Sequence, residues 1–381
     1  FLACQNIGKR RPYKKGNQNT SSALREFIEE WDQNGNTIKV IRPHFNYEKE
    51  PFPPEKKFKI GHQIDVEFIK PIRIPLVKIS FYPNKKILKN LDFKPDIIIT
   101  HLYNSYFLFH KLSKILNVPL VIGIHMADVR ISKNPFHRKH QKSVFKKASG
   151  FACRSVSIKS KFSERFPEFN NKAFLVPSGI PKNFIRSERD KNQRYEKYQI
   201  ITVSSLIKRK QIDKVLHALS NLQNRFKNWE YTIIGKGSEE ASLKQLVYDL
   251  KLEKKVFFKG KVDRENVMKE LGEKDIFVLP SYNETFGLVY LEAMACNCLS
   301  IGSRNEGIDG IIKDGENGFL CDAYNLNSIQ EKISTALSLE EKEREKLIQR
   351  ARETVIEYTT EKKAREYMNH LENIIHDYNK A

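Results

Sequence analysis

The stretch KDIFVLPSYNETFGLVYLEAMACN, residues 274–297, decides how the chain folds. It opens on KDIFVLPS (274–281), a short apolar run of the kind that fills a strand buried on both faces. It closes on GLVYLEAMACN, where Leu288, Leu291 and Met294 recur at helical spacing. Glu284 therefore falls in a strand-to-helix loop, and Glu292 falls inside the helix. A helix that starts after Gly287 leaves the amides of Phe286, Gly287 and Leu288 without intrahelical acceptors, which is a natural seat for a phosphate or diphosphate. Glycine at 287 lets the backbone come close to such a ligand. Carboxylates repel phosphate, so both glutamates are read as addressing hydroxyls of the same ligand. At about 1.5 Å rise per residue, Glu292 stands roughly 8 Å from the helix start, the reach from a diphosphate to a ribose. The two residues alone equally allow an acid favoured by the helix dipole at 284 and a solvated surface residue at 292.

Apolar runs alternate with helical patterns on both sides of this stretch. PDIIITHL (95–102), VPLVIGIHM (118–126), GFACRSVS (150–157) and AFLVPSGI (173–180) read as strands, with ALREFIEEWDQNG (23–35) and YFLFHKLSKILNV (106–118) among the helices. After the polar stretch RSERDKNQRYEKYQ (186–199), read as a linker, the pattern restarts with IITVSSL (200–206), YTIIGKG (231–237), KVFFKG (255–260), CLSIGS (298–303) and GFLCD (318–322). Such alternation implies a parallel sheet with helices on both faces, twice over. The 381 residues are long for one core and suited to two. The expected division is a first domain at 1–188, a second at 189–362, and a helix at 363–381 that packs back on the first. Ligands of such sheets bind beyond the carboxyl ends of the strands.

Composition narrows the function classes. No run of 18 apolar residues occurs, so a membrane span is not expected, and the opening FLACQNIGKRR is too quickly charged for a signal peptide. Five cysteines without a C-x-x-C pair fit reduced thiols in a cytosol better than a disulfide or zinc framework. The net charge of +21 is unevenly spread: residues 1–190 hold 36 Lys and Arg against 16 Asp and Glu, and the remainder holds 31 against 30. The first half is thus suited to a polyanionic partner. Its basic stretches interleave Lys and Arg with Phe, Ile and Leu, as in ISKNPFHRKHQKSVFKKASGF, which favours an anionic membrane surface. Nucleic-acid binding is not expected, since neither a recognition motif nor an aromatic stacking platform is present. His137 and His140 have spacing that could bind metal, yet within so basic a run a solvated helix is the better reading. GKG at 235–237 reads as a strand-end turn.

PSYNETFGLVYLEAMACNCLSIGSRNEGIDGIIKDGENGFL (280–320) resembles the carboxyl-lobe signature of the family 4 retaining glycosyltransferases, in which two glutamates are separated by seven residues. VPSGIPKNFI, SSLIKRKQIDKVLHAL, YTIIGKGSEEASLKQL, VFFKGKV and GIHMADV resemble further segments of that family. The resemblance implies an α/β fold of the GT-B type: two Rossmann-like doubly wound parallel-sheet domains facing a central cleft, with a C-terminal helix crossing back to the N-terminal domain. It implies a nucleotide-sugar donor, a UDP-sugar first among them, and no metal or other cofactor. Glu284 would hold donor-sugar hydroxyls, Glu292 would bind the ribose, and Phe286, Gly287 and Leu288 would face the diphosphate. Lys210 would stand beside the leaving phosphate, with Ser205 and Arg209 on the same loop. Gly260 and Lys261 would lie near the base, His125 at the sugar, and Gly16 along the phosphates. Two departures from the family stand out. Ser204, Ser205 and Leu206 replace the common Gly-Arg-Leu, which leaves Arg209 as the candidate for the missing arginine's charge, and Lys15-Gly16 replaces a glycine pair.

Charge that builds on a leaving diphosphate needs fixed donors or a metal, and the sequence has no Asp-x-Asp pair but does have Lys210, Arg209 and a helix start. The expected activity is retaining transfer of a sugar to a lipid-linked or other anionic glycan acceptor, at the cytoplasmic face of a membrane. A non-catalytic partner subunit of this fold, or a nucleotide-sugar epimerase, are the alternatives. The sequence is silent on oligomeric state.

Overall fold

The computed structural model describes residues 2–4, 23–43, 57–60, 64–69, 72–74, 79–81, 88, 91, 93–101, 106–129, 135–186 and 198–380. The chain forms two units: residues 1–154, 158–177 and 360–381 make the first, and residues 155–157 and 178–359 the second. The division between the units thus falls at Pro177 and Ser178, ahead of the stretch read as a linker, of which 187–197 lie outside the described residues.

In the first unit the strands are β1 (Leu2–Cys4), β2 (Lys39–Pro43), β3 (Lys57–Ile60), β4 (Ile64–Ile69), the separate pair β5 (Ile72–Ile74) and β6 (Ile79–Phe81), then β7 (Ile98–Thr100), β8 (Leu120–Ile124), β9 (Gly150–Cys153) and β10 (Ala173–Leu175). Eight of them form one sheet in the order β10-β9-β8-β7-β1-β2-β4-β3. All neighbours pair in parallel except β3, which runs antiparallel to β4 at the edge. The antiparallel edge and the β5-β6 hairpin are additions to the purely parallel expectation. The helix Thr360–Lys380 belongs to this unit: Ala364, Tyr367 and Leu371 sit in one core cluster with Phe27, Trp31, Val40 and Ile99, and the Trp31 indole N–H donates to the Ala364 carbonyl at 2.9 Å.

The second unit holds β11 (Tyr198–Val203), β12 (Trp229–Ile234), β13 (Val256–Gly260), β14 (Ile276–Val278), β15 (Leu299–Ser303) and β16 (Phe319–Cys321), all parallel, in the order β13-β12-β11-β14-β15-β16. Successive residues of a strand point to opposite faces, and the two cores follow that period. Ile200, Ile276, Val278, Leu299 and Ile301 enter one core cluster, while Ile201, Phe277 and Leu279 enter the other. This sheet is buried on both sides, which is why its strands read as continuous apolar runs rather than as alternating ones.

The strand order reverses between β11 and β14. In sheets of this kind the loops after the two strands that flank the reversal diverge to opposite faces and leave a crevice at the carboxyl edge. Phe277 lies fully buried in the middle of that arrangement. Phe277→Ala is expected to cost about 3–5 kcal/mol of stability, read as a lowered denaturant midpoint; a change of less than about 1 kcal/mol would contradict this packing.

Candidate functional site

The loop after β11 runs from Ser204 to Gln211 and contains the short turn Lys208–Lys210. The loop after β14 runs from Leu279 to Gly287 and leads into the helix Leu288–Ala295. The Tyr282 amide donates to the Arg209 carbonyl at 3.0 Å and joins the two loops. Their side chains then meet on one carboxylate: Glu284 Oε2 accepts from Lys210 Nζ and, at 3.0 Å, from Arg209 Nη1. Ser281 Oγ stands 3.5 Å from the same oxygen. Glu284 and Lys210 keep only 15% and 10% of their side-chain surface exposed, whereas Arg209 keeps 35%, so the charge cluster is sunk at its centre and open at one rim. The Glu284 amide donates to Glu306 Oε2 at 2.7 Å, and the Gly307 amide to the Glu284 carbonyl at 3.1 Å, which anchors the loop from the far side. Gly307 is tightly placed, because a Cβ there would come within 2.3 Å of the Phe286 nitrogen.

Burial works against the Glu284 charge, but Lys210 and then Arg209 outweigh it and hold the carboxyl below its ordinary value. For Lys210 the balance is reversed: burial pulls its ammonium below the ordinary lysine value, and Glu284 offsets this only in part. The two directions are compatible, since an acid with two cations gains more than a lysine that shares one acid with an arginine.

Gly287 caps the helix with φ of 89°, and a Cβ on it would come within 2.7 Å of the Tyr290 ring. Among the described residues the amides of Phe286, Gly287 and Leu288 meet no acceptor. The helix carries Glu292 inward: its side chain is 10% exposed and accepts from Arg264 Nε at 2.8 Å. Arg264 is the functional candidate that sequence reading missed. Its position in the polar run KVDRENVMKE, far from Glu292 along the chain, carries no local signal. Gly260 closes β13 with φ of 67° and accepts from the Gly235 amide at 2.7 Å, and Lys261 beyond it is exposed. Ser205 is exposed on the loop after β11. Gly235 and Gly237 are pressed against that loop, where a Cβ would come within 1.7 Å of the Ser204 carbonyl oxygen and 2.0 Å of that of Leu206. GKG is thus a strand-end turn that supports the Lys210 loop. Gly16 lies outside the described residues.

His125 belongs to the first unit, at the end of β8. Its Nε2 is buried without a partner among the described residues, and its ring lies edge-on to that of His101, 6.0 Å between centroids. His101, at the end of β7, fits only because position 123 is glycine: a Cβ there would come within 1.9 Å of its Nδ1. His101 Nε2 lies 2.9 Å from the Tyr367 hydroxyl. Burial and then the Arg154 cation push His125 down to about 4, and the same two causes, in that order, push His101 well down. Asp128 Oδ2 accepts from the His125 amide at 2.9 Å, yet burial drives its carboxyl up to about 7. Among the described residues no three His, Cys, Asp or Glu gather in a way that could hold a metal ion.

The family comparisons accord with this layout. A model described as glycosyl transferases group 1 matches residues 184–354, and one described as glycosyltransferase family 4 matches residues 21–184. N-acetyl-alpha-D-glucosaminyl L-malate synthase of Bacillus anthracis is 33% identical over 198 residues, 50% of this chain; the chain spans about half the length of that relative, 51%. An uncharacterized glycosyltransferase of Methanocaldococcus jannaschii is 26% identical over 67% of this chain and 70% of its own. Among solved structures, Anabaena Alr3699/HepE in complex with UDP shares the fold, with a TM-score of 0.73 at 17% identity over 98% of this chain and 99% of that one.

The histidine and aspartate of the first unit make opposed contributions to its pH dependence. His125 falls from 6.5 to about 4 on folding, so between those values the unfolded chain binds more protons and stability drops as pH falls. Asp128 rises from 3.8 to about 7, so the folded chain binds more protons there and its contribution grows as pH falls. Asp128→Asn removes the opposing member. Thermal melts between pH 6.5 and 4 are expected to show a steeper loss of stability in the variant than in the wild type, by up to about 1.4 kcal/mol per pH unit; parallel curves would refute the assignment.

Proposed function

The chain belongs to the family 4, group 1 glycosyltransferases, and on that premise we propose that it moves a sugar from a nucleotide-sugar donor to a lipid-linked or other anionic glycan, with retention of configuration and without a metal. The observation that carries this reading is the pairing of Lys210 and Arg209 on Glu284 at the strand-order reversal. As the glycosidic bond lengthens, negative charge gathers on the leaving diphosphate. Lys210, Arg209 and the amides at the helix start would meet that charge with donors already in place, so that little reorganisation is needed. Once the diphosphate takes over the two cations, the Glu284 carboxylate is released to accept hydroxyls of the donor sugar. Glu292 would take the ribose, Gly260 and Lys261 would border the base, and His125 would serve the sugar. Arg209 supplies the cation that Ser205 cannot.

A covalent glycosyl intermediate needs a carboxylate about 5 Å from its partner acid across the scissile bond, and two acids on one loop-helix element that address different parts of one ligand do not meet that need. Same-face attack follows: the acceptor oxygen bonds to the anomeric carbon as the bond to the diphosphate breaks, and the acceptor proton passes to a diphosphate oxygen. A uridine donor is favoured by the UDP complex of the Anabaena protein. The anionic-surface partner draws on Arg138, Lys139, Lys142, Lys146 and Lys147, all exposed along and just after the helix Pro135–Phe145. Among the described residues no helix is long and apolar enough to cross a membrane.

Incubation with UDP-, GDP- and ADP-sugars, following nucleotide release with and without acceptor glycans, tests the activity. Lys210→Ala is expected to lower kcat by about 10²–10³-fold, and Glu284→Ala comparably. Release by none of the donors, together with tight association to another transferase, would point to a partner subunit instead, and donor conversion without acceptor to an epimerase.

Surface docking has its own check. Vesicles rich in anionic lipid are expected to bind the protein, with release as salt rises and the Debye length shrinks to roughly 3 Å near 1 M. Replacing Arg138, Lys139 and Lys146 with Glu should abolish that binding, whereas equal binding to neutral vesicles would remove the proposal.

A further inference from the structure

Lys210 and Arg209 grip the carboxylate of Glu284, but its main chain is held from the other side, by the loop after β15. Glu306 Oε2 accepts from the Glu284 amide at 2.7 Å, and the Gly307 amide donates to the Glu284 carbonyl at 3.1 Å. Two consecutive residues of one loop thus clamp both peptide groups of a single residue of the other. Glu306 is only 8% exposed, and a carboxylate acceptor makes a bond roughly twice as strong as a neutral one. Its own backbone is fixed: the Asp309 amide donates to the Glu306 carbonyl at 3.0 Å, the Asn305 amide to Asp309 Oδ2 at 2.6 Å, and Ile308 is buried. The loop of Glu284 needs such a hold. Asn283, one residue earlier, turns the chain through the left-handed region with φ of 56°, and Gly307 leaves no slack, since a Cβ there would run into the Phe286 backbone.

We propose that Glu306 is a positioning residue that acts through Glu284: it holds the Glu284 peptide so that the carboxylate stays directed at the donor sugar when the diphosphate draws Lys210 and Arg209 away. This inference rests on the reading of Glu284 as the ligand of the sugar hydroxyls. Without donor, two cations fix the Glu284 side chain, and Glu306 and Gly307 fix its main chain. With donor, the cations turn to the diphosphate, and the main-chain clamp remains to set where the carboxylate stands. A displacement of about 1 Å at such a group costs up to about 10²-fold in rate. The requirement is an acceptor at the right reach, because the bond spans two loops. Glutamine keeps both reach and acceptor. Aspartate keeps an acceptor but withdraws it by one methylene, and methionine keeps the volume with only a weak acceptor.

The test takes the donor that gives turnover among the UDP-, GDP- and ADP-sugars and compares kcat with calorimetric affinity for the matching nucleoside diphosphate. Glu306→Met and Glu306→Asp are expected to lower kcat by about 10- to 100-fold, and Glu306→Gln by about threefold or less. Nucleotide affinity should stay within about twofold of the wild type in all three. Glu306→Met is then added to Glu284→Ala, whose residual turnover is followed at raised enzyme concentration; Glu306→Asp replaces it if the Met variant does not fold. The amide of residue 284 is still present there, but no carboxylate is left to position, so the second substitution should cost less than about twofold. An equal factor in both backgrounds marks a general structural role and overturns the inference. Wild-type activity in both Glu306→Met and Glu306→Asp overturns it too, as does a loss in Glu306→Gln equal to that in Glu306→Asp. Absence of turnover by the wild type with every donor overturns the transferase reading and this inference with it, whereas the other failures leave that reading intact.

Discussion

Glu284 places a negative charge where water has little access, and the chain meets it with Lys210 and Arg209. Removal of either side would strand the other as a buried, uncompensated ion, which is far worse than never having placed it there. The three residues come from two loops that touch only because β11 and β14 are neighbours in the sheet, in register from Ile200 opposite Ile276. Much else in the second unit serves that contact. Gly235 and Gly237 make room for the first loop, Gly307 and Glu306 brace the second, and Tyr290 fills the space that Gly287 leaves. The apolar alternation of the strands thus has a polar consequence: it sets where two loops end, and so which charges meet.

The legibility of this arrangement in the sequence varies by residue, for physical reasons. Strands buried on both faces read as apolar runs, so the six of the second unit were recoverable, as was the helix Leu288–Ala295 from Leu288, Leu291 and Met294. That Lys210 and Arg209 lie on one loop was evident; that both grip Glu284 was not, because the contact is made across the sheet. Arg264 was invisible for the same reason, with the added difficulty that it opens a helix amid charged neighbours. In the first unit, the antiparallel β3 and the β5-β6 hairpin went unread because edge strands lack the doubly apolar signature.

The first unit shows how a small residue can define a large one. Gly123 lies inside β8 on the sheet neighbour of β7, and its missing side chain is the volume in which the His101 ring rests. His101 in turn lies edge-on to His125 and bonds to Tyr367, so three residues distant in sequence share one buried spot. Burial and then the Arg154 cation hold both imidazoles below their ordinary value. A strand glycine that would otherwise be a mere weakness in a sheet becomes here the condition for a histidine pair.

The core that joins Phe27 and Trp31 to Ala364, Tyr367 and Leu371 draws on opposite ends of the described chain. During synthesis every residue of the second unit leaves the ribosome before that core can close. The face of the first unit that carries Phe27 and Trp31 is without that cover until then, whereas the core cluster of Ile122, Phe145 and Phe151 draws on no residue of the helix Thr360–Lys380. Closure of the Phe27 and Trp31 core thus waits on that helix, which follows the whole of the second unit along the chain.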